Sequence, residues 1–352
     1  MRWPWKRKSS HDPLIVSWCA GTLAYVRAPR NSEGLFAVQH MGIERQGTDS
    51  MEDFVRRLQG LGLKGLVTHV MLRPEQYQLL QIDTPPVAPE ELRAAARFQI
   101  REMVNVHIDD ITLDVMQVGD GQQRGTSNHL FVVAAKNEVV REVIALGDAM
   151  GWKVPVIDIQ ETAQRNLQSA LAKQDDRLER ADAAILVSDE HQAVLTISAN
   201  DELFFTRRLD LPPGFLSMAW GADAELVQEE ANDAFTPVSE YVPDYAGAGS
   251  TSSTAFNDNA DSDRLQRFVV ELQRSLDLWD RTWSSMPLGG IRVYAAERSV
   301  EMANWLSREL GQAVSGIELS AQFPGLQSMP VADQAYCLPL LGVLLRTETR
   351  KL

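Results

Sequence analysis

The sequence predicts an α/β protein with two related halves. Each half opens with strand-like segments and continues with strands that alternate with helices, the order typical of α/β folds. The chain has 352 residues, enough for two domains with cores of their own. Hydrophobic residues make up 44% of the chain and charged residues 23%, as in ordinary globular proteins. We expect a first domain over 13–178 and a second over 179–352.

The first half should fold as a sheet that is interrupted by an insert over about 88–156. Alternating or short apolar runs predict its strands, which lie at 14–17, 22–26, 36–44, 65–74, 77–86, 111–118, 129–136 and 153–159. Apolar residues at helical spacing predict its helices, at 50–62, 88–104, 137–152 and 160–174. Ser50 caps the first of these helices, and Pro89 lies in the first turn of the second.

The second half opens with "ILVSDEHQAVLTISANDELFFTRRL" (185–209), which reads as strands joined by polar turns. Residues 241–263 lack a core-forming pattern, so we expect a flexible loop there. The helix at 264–283 has one apolar stripe, formed by Leu265, Phe268, Val269, Leu272, Leu276 and Trp279. Further segments follow as a strand at 290–296, a helix at 299–311, a strand at 313–319 and a buried helix at 338–346.

Charge and cysteine content exclude several classes of protein. The net charge of −14 argues against nucleic-acid binding by bulk attraction. Cys19 and Cys337 are far apart, which predicts neither a disulfide framework nor a cysteine metal site. No secretory signal pattern is visible, and the apolar stretch at 335–345 is too short to span a bilayer, so we expect a cytoplasmic protein.

The first twelve residues form a tail that begins "MRWPWKRK" and is basic and aromatic. Two interpretations stay open for it. The tail could contact the anionic inner leaflet, where each cation contributes about 1 kcal/mol and tryptophan favours the interface. It could equally be a solvated terminus.

Common catalytic and metal-binding motifs are missing from the sequence. There is no GxxxxGK[ST] phosphate loop, no CxxC or HExxH metal pattern and no GxSxG nucleophile elbow. Asp109 and Asp110 are interpreted as solvated loop carboxylates, and Trp279 and Trp283 as core residues. We therefore predict no catalytic residue and no metal ligand.

Three stretches, in their order and spacing, resemble the pilus-assembly proteins of the PilM group, and most closely its MshI-type members that serve MSHA pili. "APEELRAAARFQIREMVNVHIDDITLDV" matches at Glu91, Leu92, Ile108, Asp109 and Asp114. "LFFTRRLDL" resembles the family's F-x-R strand, with Arg207 or Arg208 as its arginine. "ELQRSLDLW" (271–279) resembles a family helix and is the most specific of the three. The similarity covers roughly residues 13–346.

This resemblance implies the actin-like (RNase H-like) two-domain fold of FtsA, with a small inserted 1C-type subdomain. Actin-like ATPases hold phosphates with two Asp-x-Gly hairpins and the nucleoside with a Gly-Gly turn. This chain has Ser17-Trp18-Cys19, Ser188-Asp189-Glu190 and Ala295-Ala296-Glu297 at the corresponding places. Glycine lets backbone N–H groups approach a phosphate, and Glu190 would repel one.

The degenerate positions are therefore Ser17, Cys19, Ser188, Glu190, Ala295 and Ala296. With all three turns altered, we expect no bound cofactor and a pseudo-ATPase rather than an enzyme. Asp189 is one residue out of register, which leaves residual binding of Mg-ATP open.

For function, the resemblance implies a scaffold at the inner membrane that binds the cytoplasmic tail of a single-pass PilN- or MshJ-like protein. Family members hold this tail in a groove beside the inserted subdomain. Leu92, Ala95, Phe98 and Ile100 are the apolar residues of the nearby helix and could line that groove or belong to the core. Two alternatives are an active ATPase or sugar kinase of the same fold, and a GspL-like platform of type II secretion. The GspL family continues into a membrane span and a periplasmic domain, so we expect the pilus scaffold.

Overall fold

The computed structural model describes residues 13–118, 129–187, 190–220 and 253–347. For residues 253–260 it describes the backbone only. The tail at 1–12, residues 241–252 of the expected flexible loop, and Ser188 with Asp189 lie outside this description. The strands are β1 Leu14–Cys19, β2 Thr22–Arg27, β3 His40–Arg45, β4 Val67–Leu72, β5 Tyr77–Asp83, β6 Ile111–Gln117, β7 His129–Lys136, β8 Lys153–Ile159, β9 Ala181–Val187, β10 Gln192–Ala199, β11 Glu202–Asp210, β12 Leu288–Tyr294 and β13 Val314–Gly316. The α-helices are α1 Met51–Gly60, α2 Leu92–Gln99, α3 Asn137–Met150, α4 Gln160–Gln174, α5 Ser253–Thr282, α6 Ser299–Leu310 and α7 Val331–Leu344.

Two five-stranded sheets share one strand order. The first runs β3-β2-β1-β4-β8 and the second β11-β10-β9-β12-β13. If the strands of each sheet are numbered by their order along the chain, both sheets have the order third, second, first, fourth, fifth. In the first sheet β4 is parallel to both of its neighbours, β1 and β8, and β2 is antiparallel to both of its neighbours, β1 and β3. The prediction of an α/β protein with two related halves is confirmed.

The chain divides into two compact units whose boundaries differ from those expected from the sequence. The first unit comprises the described residues of Met1–Ala184, Thr196–Thr206 and Glu318–Leu352, and the second those of Ile185–Leu195 and Arg207–Ile317. The expected boundary at 178/179 would assign α7 to the second domain. The helix instead groups with the first unit because it packs on α4, β1, β2 and β3.

The core of the first unit forms where α1 and α3 cover the first sheet. Phe54 and Leu58 of α1 and Leu146 of α3 are buried against Leu14 and Val70 of the central strands. The Ser50 side chain caps α1, as predicted, by accepting a hydrogen bond from the Asp53 backbone N–H at 3.1 Å.

An inserted subdomain follows β4. It contains a three-stranded antiparallel sheet in the order β5-β7-β6, and α2 packs against it. Ala96 and Ile100 are buried with Leu130 and Val132 in its core. The insert predicted over about 88–156 is displaced, because β5 at 77–83 belongs to this sheet while β8 at 153–159 belongs to the five-stranded one. The helix predicted over 88–104 is also shorter, since 3₁₀ turns flank α2.

Two helices begin earlier than the sequence predicts. α5 starts at Ser253, so residues 253–263 are helical where the sequence suggested part of a loop. α7 starts at Val331 rather than 338. Serine, aspartate and asparagine are poor signals of a helix interior, which explains the late starting point predicted for α5.

α7 makes an unusually close contact with α4. A Cβ built on Gly342 would lie 2.0 Å from the carbonyl oxygen of Ala163. The Asn166 side chain donates a hydrogen bond to the Gly342 carbonyl at 2.9 Å. The backbones of the two helices therefore touch where only glycine fits.

Candidate functional site

The β1–β2 hairpin closes with a two-residue turn. Its register runs to Cys19↔Thr22, so only Ala20 and Gly21 form the connection. Both residues have positive φ, 47° and 71°, as a two-residue type I′ turn requires. The sequence placed Ser17-Trp18-Cys19 at this phosphate-binding hairpin. In the structure that triplet lies wholly within the strand ladder, and the turn is the next two residues.

Arg73 lies at the carboxyl end of β4, the strand next to β1. Parallel α/β sheets bind ligands at this edge. Arg73 follows β4 directly and is only 3% exposed. Its Nε donates to the Ser17 hydroxyl at 3.1 Å and its Nη2 to the Tyr336 carbonyl at 2.8 Å. The guanidinium also lies 3.8 Å from the centre of the Tyr336 ring. The Ser17 hydroxyl is thus hydrogen-bonded to the Arg73 guanidinium.

The neighbouring polar groups are also engaged within the protein. The Cys19 thiol donates to the Glu75 carboxylate at 3.3 Å. The Gln76 amide donates to the Trp18 carbonyl at 2.9 Å. Burial, and then the charge of Glu75, raise the pKa of Cys19 to about 12. Cys19 is consequently a neutral structural thiol.

The carboxylate at the end of β8 is held in a similar way. Asp158 is 5% exposed and forms an ion pair with Arg346 at 2.7 Å. It also accepts hydrogen bonds from the Thr162 hydroxyl and, at 3.0 Å, from the Ile159 backbone. Among the residues described, no cluster of three or more His, Cys, Asp or Glu side chains has the arrangement of a metal site.

In the second unit, the expected Gly-Gly turn is a compact alanine turn. Ala295 is 1% exposed and Ala296 has a φ of 51°. The Ser299 hydroxyl accepts a hydrogen bond from the Ala295 N–H at 2.9 Å and donates to the Ala296 carbonyl at 2.7 Å. Glu190 is exposed in the bend before β10.

An open pocket of about 440 Å³ lies in the inserted subdomain. β5 is an edge strand, because β7 is its only neighbour among the described strands. The lining combines apolar, amide and ionisable groups from Gln81, Ile82, Asp83, Gln99, Met103 and His129. Asp83 and His129 face each other, with 3.4 Å between Oδ1 and Nδ1. We call this pocket, with its edge strand, the β5 groove.

The four apolar residues predicted as groove members separate into two groups. Leu92 and Ile100 are buried in the subdomain core, so their side chains are not available to a partner, and Ala95 is half-buried. Phe98 is 78% exposed, and it precedes the lining residue Gln99. Met103, 47% exposed, was missed because sequence alone does not show which apolar residue of a helix end stays uncovered.

Side chains of the first stretch connect α2 to β6. Arg93 of α2 pairs with Asp114 of β6 at 2.9 Å. Arg97 donates to the carbonyls of Ile108 at 2.7 Å and Ile111 at 3.1 Å. These contacts fasten α2 to β6 and so support one side of the β5 groove.

The other two motif stretches meet in the second unit. Arg207 of β11 donates to Glu271 and, at 3.2 Å, to the Ser275 hydroxyl of α5. Arg207 therefore joins the F-x-R strand to the "ELQRS" helix.

The repeated strand order and the inserted subdomain are those of an actin-like fold. The PilM-PilN type IV pilus biogenesis complex contains a similar chain, with 16% identity, 96% of this chain and 98% of that chain covered, and a TM-score of 0.65. The cytoplasmic domain of EpsL, an inner membrane component of the type II secretion system of Vibrio cholerae, has 14% identity, coverage of 66% and 80%, and a TM-score of 0.39. A Bacteroides thetaiotaomicron protein with an actin-like ATPase fold has 7% identity, coverage of 96% and 97%, and a TM-score of 0.48.

No protein-family model and no curated protein matches the sequence. The structural likeness to the chain of the pilus complex confirms the predicted actin-like fold. In the part of the chain that the structure describes, no helix has the length and apolar character needed to cross a bilayer.

Proposed function

We propose that the protein is a scaffold of a type IV pilus assembly machine, situated in the cytoplasm at the inner membrane. The observation that carries this proposal is the likeness to the chain in the PilM-PilN complex over nearly the full length of both chains. The motif stretches that resemble MshI-type proteins favour an MSHA-like pilus. The proposed partner is a PilN- or MshJ-like single-pass protein of the inner membrane, bound through its N-terminal cytoplasmic tail.

We assign the tail to the β5 groove. An edge strand offers backbone hydrogen bonds to an extended peptide, and a neighbouring pocket selects its side chains. Met103, which lines the pocket, provides exposed apolar area, and Phe98 of α2 adds an exposed ring next to the lining residue Gln99 in the chain. Asp83, with an 88% exposed side chain, favours a basic residue in the peptide. The groove therefore fits a short extended segment with an apolar anchor and a positive charge.

The direct test is titration of a labelled peptide of the partner's tail with the purified protein. Phe98→Ala removes an aromatic anchor, so we expect at least a tenfold rise in Kd at unchanged stability. Val300→Ala, at an apolar residue 62% exposed on α6, is the matched control and should leave Kd unchanged. Equal binding by the wild type and the Phe98 variant would rule out this groove. Failure of the protein to capture any inner-membrane pilus protein would contradict the scaffold itself.

We further propose that the protein does not hydrolyse ATP and works without a nucleotide. Three features support this proposal: the two-residue turn at Ala20-Gly21, the burial of Arg73 against Ser17, and the closed turn at Ala295. Cys19, Ala295 and Ala296 stand where the actin-like pattern has glycine, so the backbone N–H groups there should not reach phosphate oxygens. Tail binding should therefore be independent of nucleotide.

Calorimetry with Mg-ATP tests this second proposal, since we expect no heat of binding and no thermal shift at millimolar ligand. Micromolar affinity that is lost in Asp189→Ala would show that the shifted carboxylate rebuilds a metal site. That result would favour the active-ATPase alternative.

A further inference from the structure

The outer face of α5 carries a line of arginines in a chain that is otherwise acidic. Arg267, Arg274 and Arg281 are exposed and recur at every seventh residue. Val270 and Leu278 lie between them and are 43% and 48% exposed. At 3.6 residues per turn these five positions fall within about 80° of one another on the helix, on the side opposite the buried stripe. We call this surface the α5 arginine face.

The arginines of this face are not neutralised by their surroundings. The Glu271 carboxylate is shared by Arg207 and Arg274, which leaves an excess of positive charge. In the described part of the chain, Arg267 and Arg281 form no ion pair. The line extends over about 21 Å at 1.5 Å per residue. A surface of this kind is suited to anionic groups repeated along a line or a plane.

We propose that the α5 arginine face binds the anionic headgroups of a phospholipid bilayer. A flat surface contacts only the outermost residues of a helix, which are here the three arginines with Val270 and Leu278 at the two sides of their line. A second helix would instead need apolar residues every three to four positions along the seam, and this face supplies only two. Near an anionic leaflet each arginine contributes attraction, and Val270 and Leu278 add apolar contact.

The overall charge of −14 does not oppose this contact at physiological salt. The Debye length is then about 8 Å, so charges on the far side of the molecule are screened. Only charges within about a Debye length of the bilayer affect the contact, and in the proposed orientation these include the three arginines. Two acids border the arginines: Asp263, exposed one turn before Arg267, and Asp277, which accepts a hydrogen bond from Gln273 at 2.8 Å. The three arginines still outnumber these two carboxylates.

The first test compares vesicle binding by the full chain and by the triple variant Arg267→Gln, Arg274→Gln, Arg281→Gln. The vesicles contain phosphatidylglycerol and phosphatidylethanolamine, with pure phosphatidylcholine as the uncharged reference. Glutamine preserves helix propensity, so the fold should be retained, which circular dichroism verifies. At about 1 kcal/mol per arginine, the partition coefficient should fall on the order of a hundredfold.

The matched control removes the same net charge elsewhere, with Arg45→Gln, Arg56→Gln and Arg141→Gln at exposed positions of the first unit. This control should change the partition coefficient by less than about threefold at physiological salt, because screening isolates distant charges. An equal loss in both triple variants would show that net charge alone matters and would overturn the assignment. Wild-type protein that ignores the anionic vesicles would overturn it as well.

A dye attached at Leu278→Cys locates the contact directly. The native thiols of Cys19 and Cys337 are buried, so the introduced cysteine is labelled selectively. Its emission should shift to the blue on the anionic vesicles, whereas a dye at Leu61→Cys, on the first unit, should not respond. If the arginine variants keep vesicle binding but lose capture of an acidic amphipathic peptide, the face is a protein-docking surface instead. These readouts are independent of tail-peptide binding, so this inference and the proposed pilus role can fail separately.

Discussion

Replacement of Gly342 by alanine tests the packing of α7 on α4. The added Cβ would lie 2.0 Å from the Ala163 carbonyl oxygen, 2.6 Å from the carbonyl carbon and 3.0 Å from Cα. All three are backbone atoms of a buried helix, so no side chain can rotate away. α7 must therefore move away from α4 by roughly 1 Å or more to restore van der Waals contact.

The expected cost can be estimated from three contributions. Overpacking costs about 1–3 kcal/mol, and loss of the Asn166 hydrogen bond to the Gly342 carbonyl costs about 1 kcal/mol. The higher helix propensity of alanine returns about 1 kcal/mol. We expect Gly342→Ala to lower the free energy of unfolding of the first unit by about 2 kcal/mol.

Urea denaturation measures this change. Hydrogen exchange in peptides that cover α4 and α7 shows whether the change lies in the first unit. Gly60→Ala is the control, because Gly60 ends α1 and a Cβ added there would meet no atom within 4 Å. This control should be neutral or stabilising by up to about 1 kcal/mol. A Gly342→Ala protein as stable as the wild type would refute the close backbone contact.

Four further predictions address individual features. Ala20→Asn should raise the free energy of unfolding by about 0.5–1 kcal/mol in urea titrations, because asparagine tolerates the left-handed φ of 47° better than alanine. Cys19 and Cys337, whose pKa values burial raises to about 12, should resist alkylation at pH 8 until the protein is unfolded, and rapid native labelling would contradict their burial. Burial, and then Arg346, lower the pKa of His69, so the unfolded chain binds the proton first as the pH falls below about 6.5. Stability should consequently decrease toward pH 5, and His69→Gln should flatten that part of the profile. Deletion of residues 1–8 should weaken binding to anionic vesicles, most at low salt, and an unchanged salt dependence would favour the solvated-terminus interpretation.

The alternation of strands and helices was predictable from the sequence because it rests on local periodicity. Strands such as β1, β2, β6 and β7 were located within a residue or two. The sharing of segments between the two units was not predictable, because nothing local in the α7 sequence reveals that the helix packs on α4. The apolar character of α7 was visible, but its partner depends on long-range contacts.

The candidate site was predictable only in part. The sequence identified Ser17 and Cys19 as positions without nucleotide chemistry, but it did not reveal that Arg73, distant in the chain, fills that edge of the sheet. Phe98 and Ile100 look equivalent on an apolar helix. Their exposed fractions, 78% and 0%, depend on which side of the helix meets the sheet.

The discontinuity of the first unit has a consequence for synthesis on the ribosome. Chains grow from the N-terminus, and domains generally fold as units during translation. β1, β2 and β3 emerge early, yet α7, which covers them, is translated after the second unit. The part of the first sheet against which α7 packs therefore stays uncovered for most of elongation, and exposed apolar surface of this kind makes a nascent chain prone to aggregation and dependent on chaperones.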